Sequence, residues 1–238
     1  MNQAVRHGEE VFLGVIHDGA HEGTWNMAVD EFLFWNQIEA RNPNAILRFY
    51  RFSKPALTVG YGAWRALRSD LQSGLRLIRR ITGGGIVRHE SDLVYTLVAP
   101  IAIHPSLGRA QNAYPFIHEL LMTTLFTFGI STECFKPSGK RETSSFCFEA
   151  PVPFDVMLGD KKVAGAGQKR SNSYLLHQGS IEWSTLVAHA PNLSEDLFVR
   201  RFSTCLAQRF DVPIRDLPFP VQERGDTSRA NGYARATA

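Results

Sequence analysis

Near the start of the chain, apolar residues recur at helical spacing. Trp25, Ala28, Val29, Phe32 and Leu33 share one side of a helix with its N-cap predicted at Thr24, and Asp30 and Glu31 are turned away from the buried face. The period then changes. AILRFYRF (45–52) alternates in part and is rich in aromatic residues, which predicts a strand. Pro55 interrupts it, and ALTVGYG (56–62) reads as a second strand ending in a glycine turn. RLIRRIT (76–82) is a third and runs straight into Gly83, Gly84 and Gly85. IVRH and LVYTLVAP (93–100) predict a hairpin or a longer paired excursion. Residues 113–128 place Phe116, Ile117, Leu120, Leu121 and Leu125 on one buried helix face. The polar stretch PSGKRETSSF (137–146) predicts an exposed loop, and FDVMLGDKKVAG (154–165) a hairpin around Gly159 and Asp160. LLHQGSIEW (175–183) is a further strand, and the last helix is predicted from Ser194 to Phe210.

Apolar periodicity fades past residue 220, so 221–238 are expected to be a disordered tail. No repeat or shift in composition divides what precedes it. Residues 1–220 are expected to form a single α+β domain with strands dominating its middle. A hydrophobic content of 44%, with 16 Phe and 4 Trp, supplies the core such a domain needs. The first fifteen residues lack the apolar stretch of a secretory signal, and no apolar run approaches the ~18 residues of a membrane span. The expected compartment is the cytoplasm, without membrane association. A net charge of +3 permits acidic partners or phosphorylated ligands but is no nucleic-acid footprint. Cys134, Cys147 and Cys205 are odd in number and lack a CxxC spacing, which argues against a disulfide framework and against a metal site.

Two glycine-rich segments carry the candidate chemistry. Arg79, Arg80, Ile81, Thr82, Gly83, Gly84 and Gly85 place three flexible residues between strand-like segments. Such a bend lets a ligand approach the backbone, and its N–H groups can face an anion. The two arginines could add planar donors to a phosphate or carboxylate; equally, the segment could be a mobile surface turn flanked by solvated charges. In Lys161, Lys162, Val163, Ala164, Gly165, Ala166, Gly167 and Gln168, small residues follow a short apolar strand. Here a lysine could meet a developing oxyanion or phosphate, or could simply protect an edge strand. Cys205, on the apolar side of the last helix, and Cys134, beside a strand, read as packing residues. Cys147 lies in a Ser- and Pro-rich loop with no apolar face to join, so it is either incidental or an accessible nucleophile. His89, Asp92 and His177 flank these segments, as ligand-orienting or acid–base groups or as satisfied buried polar residues.

RRITGGGIVRHESDLVYTLV resembles the signature of lipoate–protein ligases and the related octanoyltransferases of the biotin–lipoyl protein ligase superfamily. GDKKVAGAGQKR resembles their lysine segment, and LLHQGSI the His-Gly strand that follows it. The likeness runs from about Thr24 to Trp183. It implies a mixed central β-sheet flanked by helices, shared with biotin ligases and class II aminoacyl-tRNA synthetases; the GRGRxxR-type loop of biotin ligases is absent. FCFEAPVPFDVMLGDKKVAG resembles the octanoyltransferases whose loop cysteine is acylated. The resemblance thus implies Cys147 and Lys162 as catalytic residues. It implies Arg79, Arg80, Thr82, Gly83, Gly84, Gly85, His89, Gly165, Ala166, Gln168, His177 and Gly179 as substrate-binding residues. Expected partners are acyl carrier protein as donor and a lipoyl domain or glycine-cleavage H protein as acceptor, with no cofactor required for transfer. Gly85 departs from the Gly-Gly-Arg often found in that group and is ligase-like. The alternative it leaves open is an ATP- and Mg²⁺-dependent ligase with Arg79, Arg80 and Lys162 on the adenylate phosphate. A non-catalytic acyl- or partner-binding module is the third reading.

Overall fold

The computed structural model describes residues 10–64, 74–137 and 151–218. Cys147, nearly all of the predicted 137–146 loop and the predicted tail lie outside the described residues. The first half runs β1 (Leu13–His21), α1 (Gly23–Glu39), β2 (Ala45–Phe52), β3 (Ala56–Gly60), α2 (Tyr61–Trp64), β4 (Leu77–Arg80), β5 (Ile86–His89) and β6 (Leu93–Pro100). Two 3₁₀ turns then lead into α3 (Ala110–Phe126) and β7 (Glu133–Cys134). The remainder is β8 (Val156–Leu158), β9 (Lys161–Ser171), β10 (Tyr174–Ile181), α4 (Trp183–His189), α5 (Glu195–Phe210) and β11 (Ile214–Asp216).

Eight strands form one mixed sheet in the order β11-β1-β2-β6-β10-β9-β8-β7, and β4-β3-β5 form a smaller one. β1 is parallel to β2 and β11, and the remaining pairs of the large sheet are antiparallel. This is the α+β arrangement that the residue patterns predict, and the mixed central sheet flanked by helices that the family resemblance implies. Its register decides which residues share a face. Tyr50, Val94, Ser180 and Gly165 stand opposite one another on β2, β6, β10 and β9, as do Arg48, Thr96, Gln178 and Gly167. Both rows point to one face because side chains alternate along a strand. The other face carries Phe49 and Tyr95, and Leu47 and Leu97, into the main core with α3 and α5. α1 covers the first face, where Val29, Leu33 and Phe34 pack on Val98 and Leu176. Among the described residues no helix is long and apolar enough to cross a membrane.

Three expectations change. α1 begins at Gly23 with Glu22 as an N-cap that makes no side-chain bond, so Thr24 lies inside the first turn. The segments IVRH and LVYTLVAP do not pair with each other: β5 pairs with β3 in the small sheet, and β6 lies between β2 and β10 in the large one. The chain crosses between sheets at Ser91 and Asp92, whose carbonyls accept from Arg51 Nη1 at 2.9 and 3.1 Å. Asp30 is not turned outward; it is fully buried. The inward face of α1 runs through Asn26, Asp30, Leu33 and Gln37, so its buried helical stripe includes polar residues that a hydrophobicity pattern assigns to solvent.

Asp30 is buried because Arg48 is buried too. The Arg48 guanidinium, with no exposed side-chain surface, donates to Asp30 Oδ1 at 2.7 Å, and its Nε donates to Asp18 Oδ2 at 2.8 Å. Its Nη2 donates to Asn26 Oδ1 at 2.8 Å. Asp30 Oδ2 accepts from Tyr50, Thr96 and Gln178, each at 2.7 Å. Replacing Arg48 by Leu strands two carboxylates away from water. The expected cost is about 3–5 kcal/mol in urea unfolding; a loss below about 1 kcal/mol would show that the cluster does not hold α1 to the sheet.

Candidate functional site

Between the Tyr50–Gly165 row of the large sheet and the small sheet lies a cavity of about 260 Å³. Met27, Val87 and Val94 give it apolar walls, and Gly84 and Gly85 form part of its rim. Lys162, Asp155 and Tyr114 lie at its β9 side. Crossing three strand spacings from Tyr50 to Gly165 spans about 14 Å.

Lys162 reaches this cavity because of a defect in β9. One step along β8, from Val156 to Met157, is matched by two along β9, from Ala164 to Lys162. The extra residue is a bulge, which reverses the alternation of side chains beyond it. Val163 and Ala164, though adjacent, are both buried in the main core. Lys162 and Gly165 therefore both face the cavity. The Lys162 ammonium, its side chain 4% exposed, pairs with Asp155 Oδ2 at 2.7 Å. Asp155, fully buried, also accepts from Tyr114 Oη at 2.5 Å and from the Val152 amide at 2.7 Å. Burial, reinforced by the Asp155 carboxylate, holds the Tyr114 phenol well above its ordinary range, so it remains a donor. Its oxygen also accepts from the Ala166 amide at 3.0 Å. Gly165 is required here: a Cβ would stand 2.6 Å from Lys162 Nζ and 3.1 Å from Asp155 Oδ1.

Tertiary bonds fasten the glycine bend. Arg80 is buried, and its Nη2 donates to the carbonyls of Gly83 at 2.9 Å and Gly85 at 3.0 Å, while Nη1 donates to Thr58 at 3.1 Å. Its guanidinium thus lines the cavity but is committed largely to shaping the bend. The fully buried Thr82 donates to Gln178 Oε1 at 2.6 Å, which ties the bend through Gln178 to Asp30. The Gly83 amide donates to the Gln168 carbonyl at 3.2 Å. Gly84 has φ +103°, a conformation that favours glycine. Gly60 must also be glycine, since a Cβ there would meet the Gly84 carbonyl at 2.2 Å.

His89 lines the cavity with both ring nitrogens engaged, Nδ1 with Asp92 at 2.7 Å and Nε2 with Thr58 at 2.8 Å, and Phe52 stacks on the ring. Asp92 also accepts from Ser180 Oγ at 2.6 Å. The paired His89 and two hydrogen bonds outweigh burial and lower the Asp92 carboxyl.

Not every predicted site residue converges here. Lys162, Arg80, Gly84, Gly85, His89, Gly165, Ala166 and Gly179 line the cavity. Thr82 and Gly83 stand behind it. Arg79 lies over the Tyr61 ring, 5.5 Å from its centroid. Gln168 and His177 are register partners on the opposite face, so strand alternation turns them away from the cavity. There His177 meets Tyr95 Oη at 3.1 Å and Gln168 Nε2 at 3.1 Å, close to His118. Burial holds His177 well below its ordinary value and lowers His118 to about 4. Cys134 and Cys205 are half-buried, with burial raising both thiols. Among the described residues no group of three or more His, Cys, Asp or Glu could hold a metal ion. Pattern reading missed Asp155, Tyr114, Gln178 and Asp30. The only local signal for Asp155 is a carboxylate directly preceding a buried strand.

Residues 22–202 match the model of the lipoyl protein ligase A/B catalytic domain. The chain is similar to the octanoyltransferase LipM of Carboxydothermus hydrogenoformans, 35% identical over 164 residues, covering 67% of this chain and 60% of that one. The match thus spans about three fifths of that relative's length. A lipoate–protein ligase A crystal structure bound with ATP superposes with a TM-score of 0.67 at 19% identity, over 96% of this chain and 94% of that one. A bi-partite lipoate protein ligase, described with its E2 lipoyl domain from Thermoplasma acidophilum, gives 0.55 at 16% identity, over 96% and 92%.

Gly179→Ala drives a Cβ to 2.1 Å from the ring of buried Tyr95, so the free energy of urea unfolding should fall by about 1–3 kcal/mol. Gly165→Ala pushes a Cβ against Lys162 and the Oδ1 of Asp155, so it should disturb their buried ion pair and lower stability as well. His118 contributes acid sensitivity. Its folded value lies below the unfolded 6.5, so the unfolded state binds the extra proton between about pH 6.5 and 4. Its stabilisation is complete above that window and is lost as pH falls through it, by about 2 kcal/mol from pH 6.5 to 5. Urea midpoints across this range should flatten in His118→Leu; an unchanged slope would assign the effect elsewhere.

Proposed function

The chain belongs to the lipoyl protein ligase A/B catalytic-domain family, and we propose that it transfers an octanoyl group from acyl carrier protein to a lysine of a lipoyl-domain protein. The supporting observation is an ammonium, Lys162, set by a strand bulge at one side of a cavity walled by Met27, Val87 and Val94. Three strand spacings, about 14 Å, accommodate an extended eight-carbon chain. The carbonyl end then lies beside Lys162 and the backbone of Gly165.

In this mechanism the Cys147 thiolate attacks the carrier thioester, the carrier thiol leaves, and an octanoyl-enzyme forms. Cys147 is five residues before Val152, whose amide is anchored on Asp155. That tether limits the separation of the two Cα atoms to about 17 Å. Lys162 faces the oxygen as negative charge develops on it. A neutral amine of the acceptor then attacks the acyl-enzyme, expels the cysteine and loses its proton. His89 holds Asp92 and Thr58 and is better suited to shaping the wall than to taking that proton. Transfer of this kind requires no cofactor.

The likeness to the octanoyltransferase LipM favours transfer. Two observations keep an ATP-dependent ligase as the second reading, the ligase-like Gly85 and the ATP-bound structural neighbour. The commitment of Arg80 to Thr58, Gly83 and Gly85 weighs against its assignment to an adenylate phosphate.

Octanoyl carrier protein and a lipoyl domain, incubated without nucleotide, should yield octanoylated acceptor, with a hydroxylamine-sensitive adduct on Cys147. Cys147→Ala should abolish both, and Lys162→Met should lower the rate about 10²–10³-fold. Product formed only from free lipoate with ATP and Mg²⁺ would establish the ligase instead.

A further inference from the structure

The two ends of the cavity differ in access and in chemistry. Gly84 on its rim is exposed, whereas Met27, Tyr50 and Val94 are buried, so the mouth lies at the glycine bend and the blind end lies under α1. At that blind end the polar side chains satisfy one another. Tyr50 Oη and Gln178 Nε2 both donate to Asp30 Oδ2 at 2.7 Å, and Gln178 Oε1 accepts from Thr82 at 2.6 Å. Ser180 Oγ donates to Asp92 at 2.6 Å. Met27 and Val94 are left to meet the tail of a ligand, which suits a plain alkyl chain. The row Gly165, Ser180, Val94 and Tyr50 gives a scale for its length. One strand spacing of about 4.8 Å takes about four methylene groups of an extended chain. An octanoyl chain that begins over β9 therefore ends over β6, at Val94. Beyond it stands Met27, packed with Val94, Tyr50, Phe52, Ala56 and Ile78.

We propose that Met27 is the specificity-determining stop of this cavity, the side chain that sets the preferred acyl length at eight carbons. This rests on the acyl-transfer reading above. A stop must hold its place, and α1 is fastened on both sides of Met27. Asn26 Nδ2 donates to the carbonyls of His21 at 3.2 Å and Arg51 at 2.9 Å. Asp30, one helical turn on, accepts from Arg48 at 2.7 Å as well as from Tyr50 and Gln178. A longer chain would have to push the thioether out of its packed cluster, which costs strain. A shorter one would leave a gap in front of it and lose dispersion contacts. The Met27 side chain can nevertheless be changed without opening the polar network. Its Sδ accepts from Gln178 Nε2 at 3.7 Å, and that amide keeps its shorter bond to Asp30 when the sulfur is gone. Tyr50 cannot serve in the same way, because its hydroxyl and ring are held by Asp30 and Arg48.

The test has two arms, both on the full chain. Calorimetric binding of hexanoate, octanoate, decanoate and dodecanoate reads the cavity alone. Transfer of the same acyl groups from carrier protein to a lipoyl domain reads the reaction. Wild type should favour the octanoyl chain over the decanoyl chain about tenfold in each arm. Met27→Ala should move the optimum to decanoyl, and Met27→Phe should move it towards hexanoyl. If Met27→Ala does not fold, Met27→Val, which keeps more of the packing, should move the optimum in the same direction as Ala. An order of preference identical to wild type in a folded Ala or Val variant overturns the inference, as does wild-type affinity that keeps rising through dodecanoate. Wild type that octanoylates the lipoyl domain, with variants whose preference is unmoved, overturns the stop and leaves the transfer reading intact. A binding optimum that shifts with residue 27 in a protein that transfers no acyl group refutes the transfer reading and leaves the stop. Wild type that neither binds an alkanoate nor transfers an acyl group overturns both.

Discussion

Arg48 carries a positive charge with no access to water, and a charge so placed persists only among carboxylates and carbonyls. The consequences spread outward from that residue. Asp18 and Asp30 are drawn in as counter-ions, and Asn26 supplies further acceptors. Asp30 has a second oxygen to satisfy, and it recruits Tyr50 on β2, Thr96 on β6 and Gln178 on β10. One buried cation therefore sets how α1 lies on three successive strands. Gln178 carries the network to Thr82, so the position of the glycine bend is coupled to the same cluster. The polar chain that anchors the helix also shapes a wall of the cavity.

The opposite side of the cavity follows the same rule. Lys162 is a second buried cation, and Asp155 is its counter-ion. A single inserted residue puts it there. Were β9 regular, Lys162 would share a face with Ala164 and point into the apolar layer beneath the sheet. The bulge turns it into the cavity, while Val163 and Ala164 both serve the core. Local irregularity in the strand is the condition for placing the charge.

Arg80 illustrates how context alters the meaning of a residue. Next to three glycines, an arginine reads as an anion ligand. In the folded chain its donors are used on Thr58, Gly83 and Gly85, drawing those two carbonyls towards itself. The bend owes its shape to this internal capture and to the close approach of Gly60 beneath Gly84.

Much of the architecture was legible in the order of residues, because helical and strand periods are local. The strands from Ala45, Ala56 and Leu77, the turn at Gly159, and the final helix with Ser194 accepting from the Leu197 amide all follow from neighbouring residues. The glycine bend stood out because three glycines in a row are costly in conformational entropy, whereas Lys162 was singled out by the family resemblance. What pattern could not determine was side: Asp30 inward rather than outward, Gln168 and His177 beneath the sheet, and Lys162 above it. Nor could it place β5 and β6 in different sheets. Burial of a polar residue depends on a partner distant in sequence, as Asp30 on Arg48 and Lys162 on Asp155. Only the tertiary structure brings such partners together, because no local period encodes where a charge will meet its opposite.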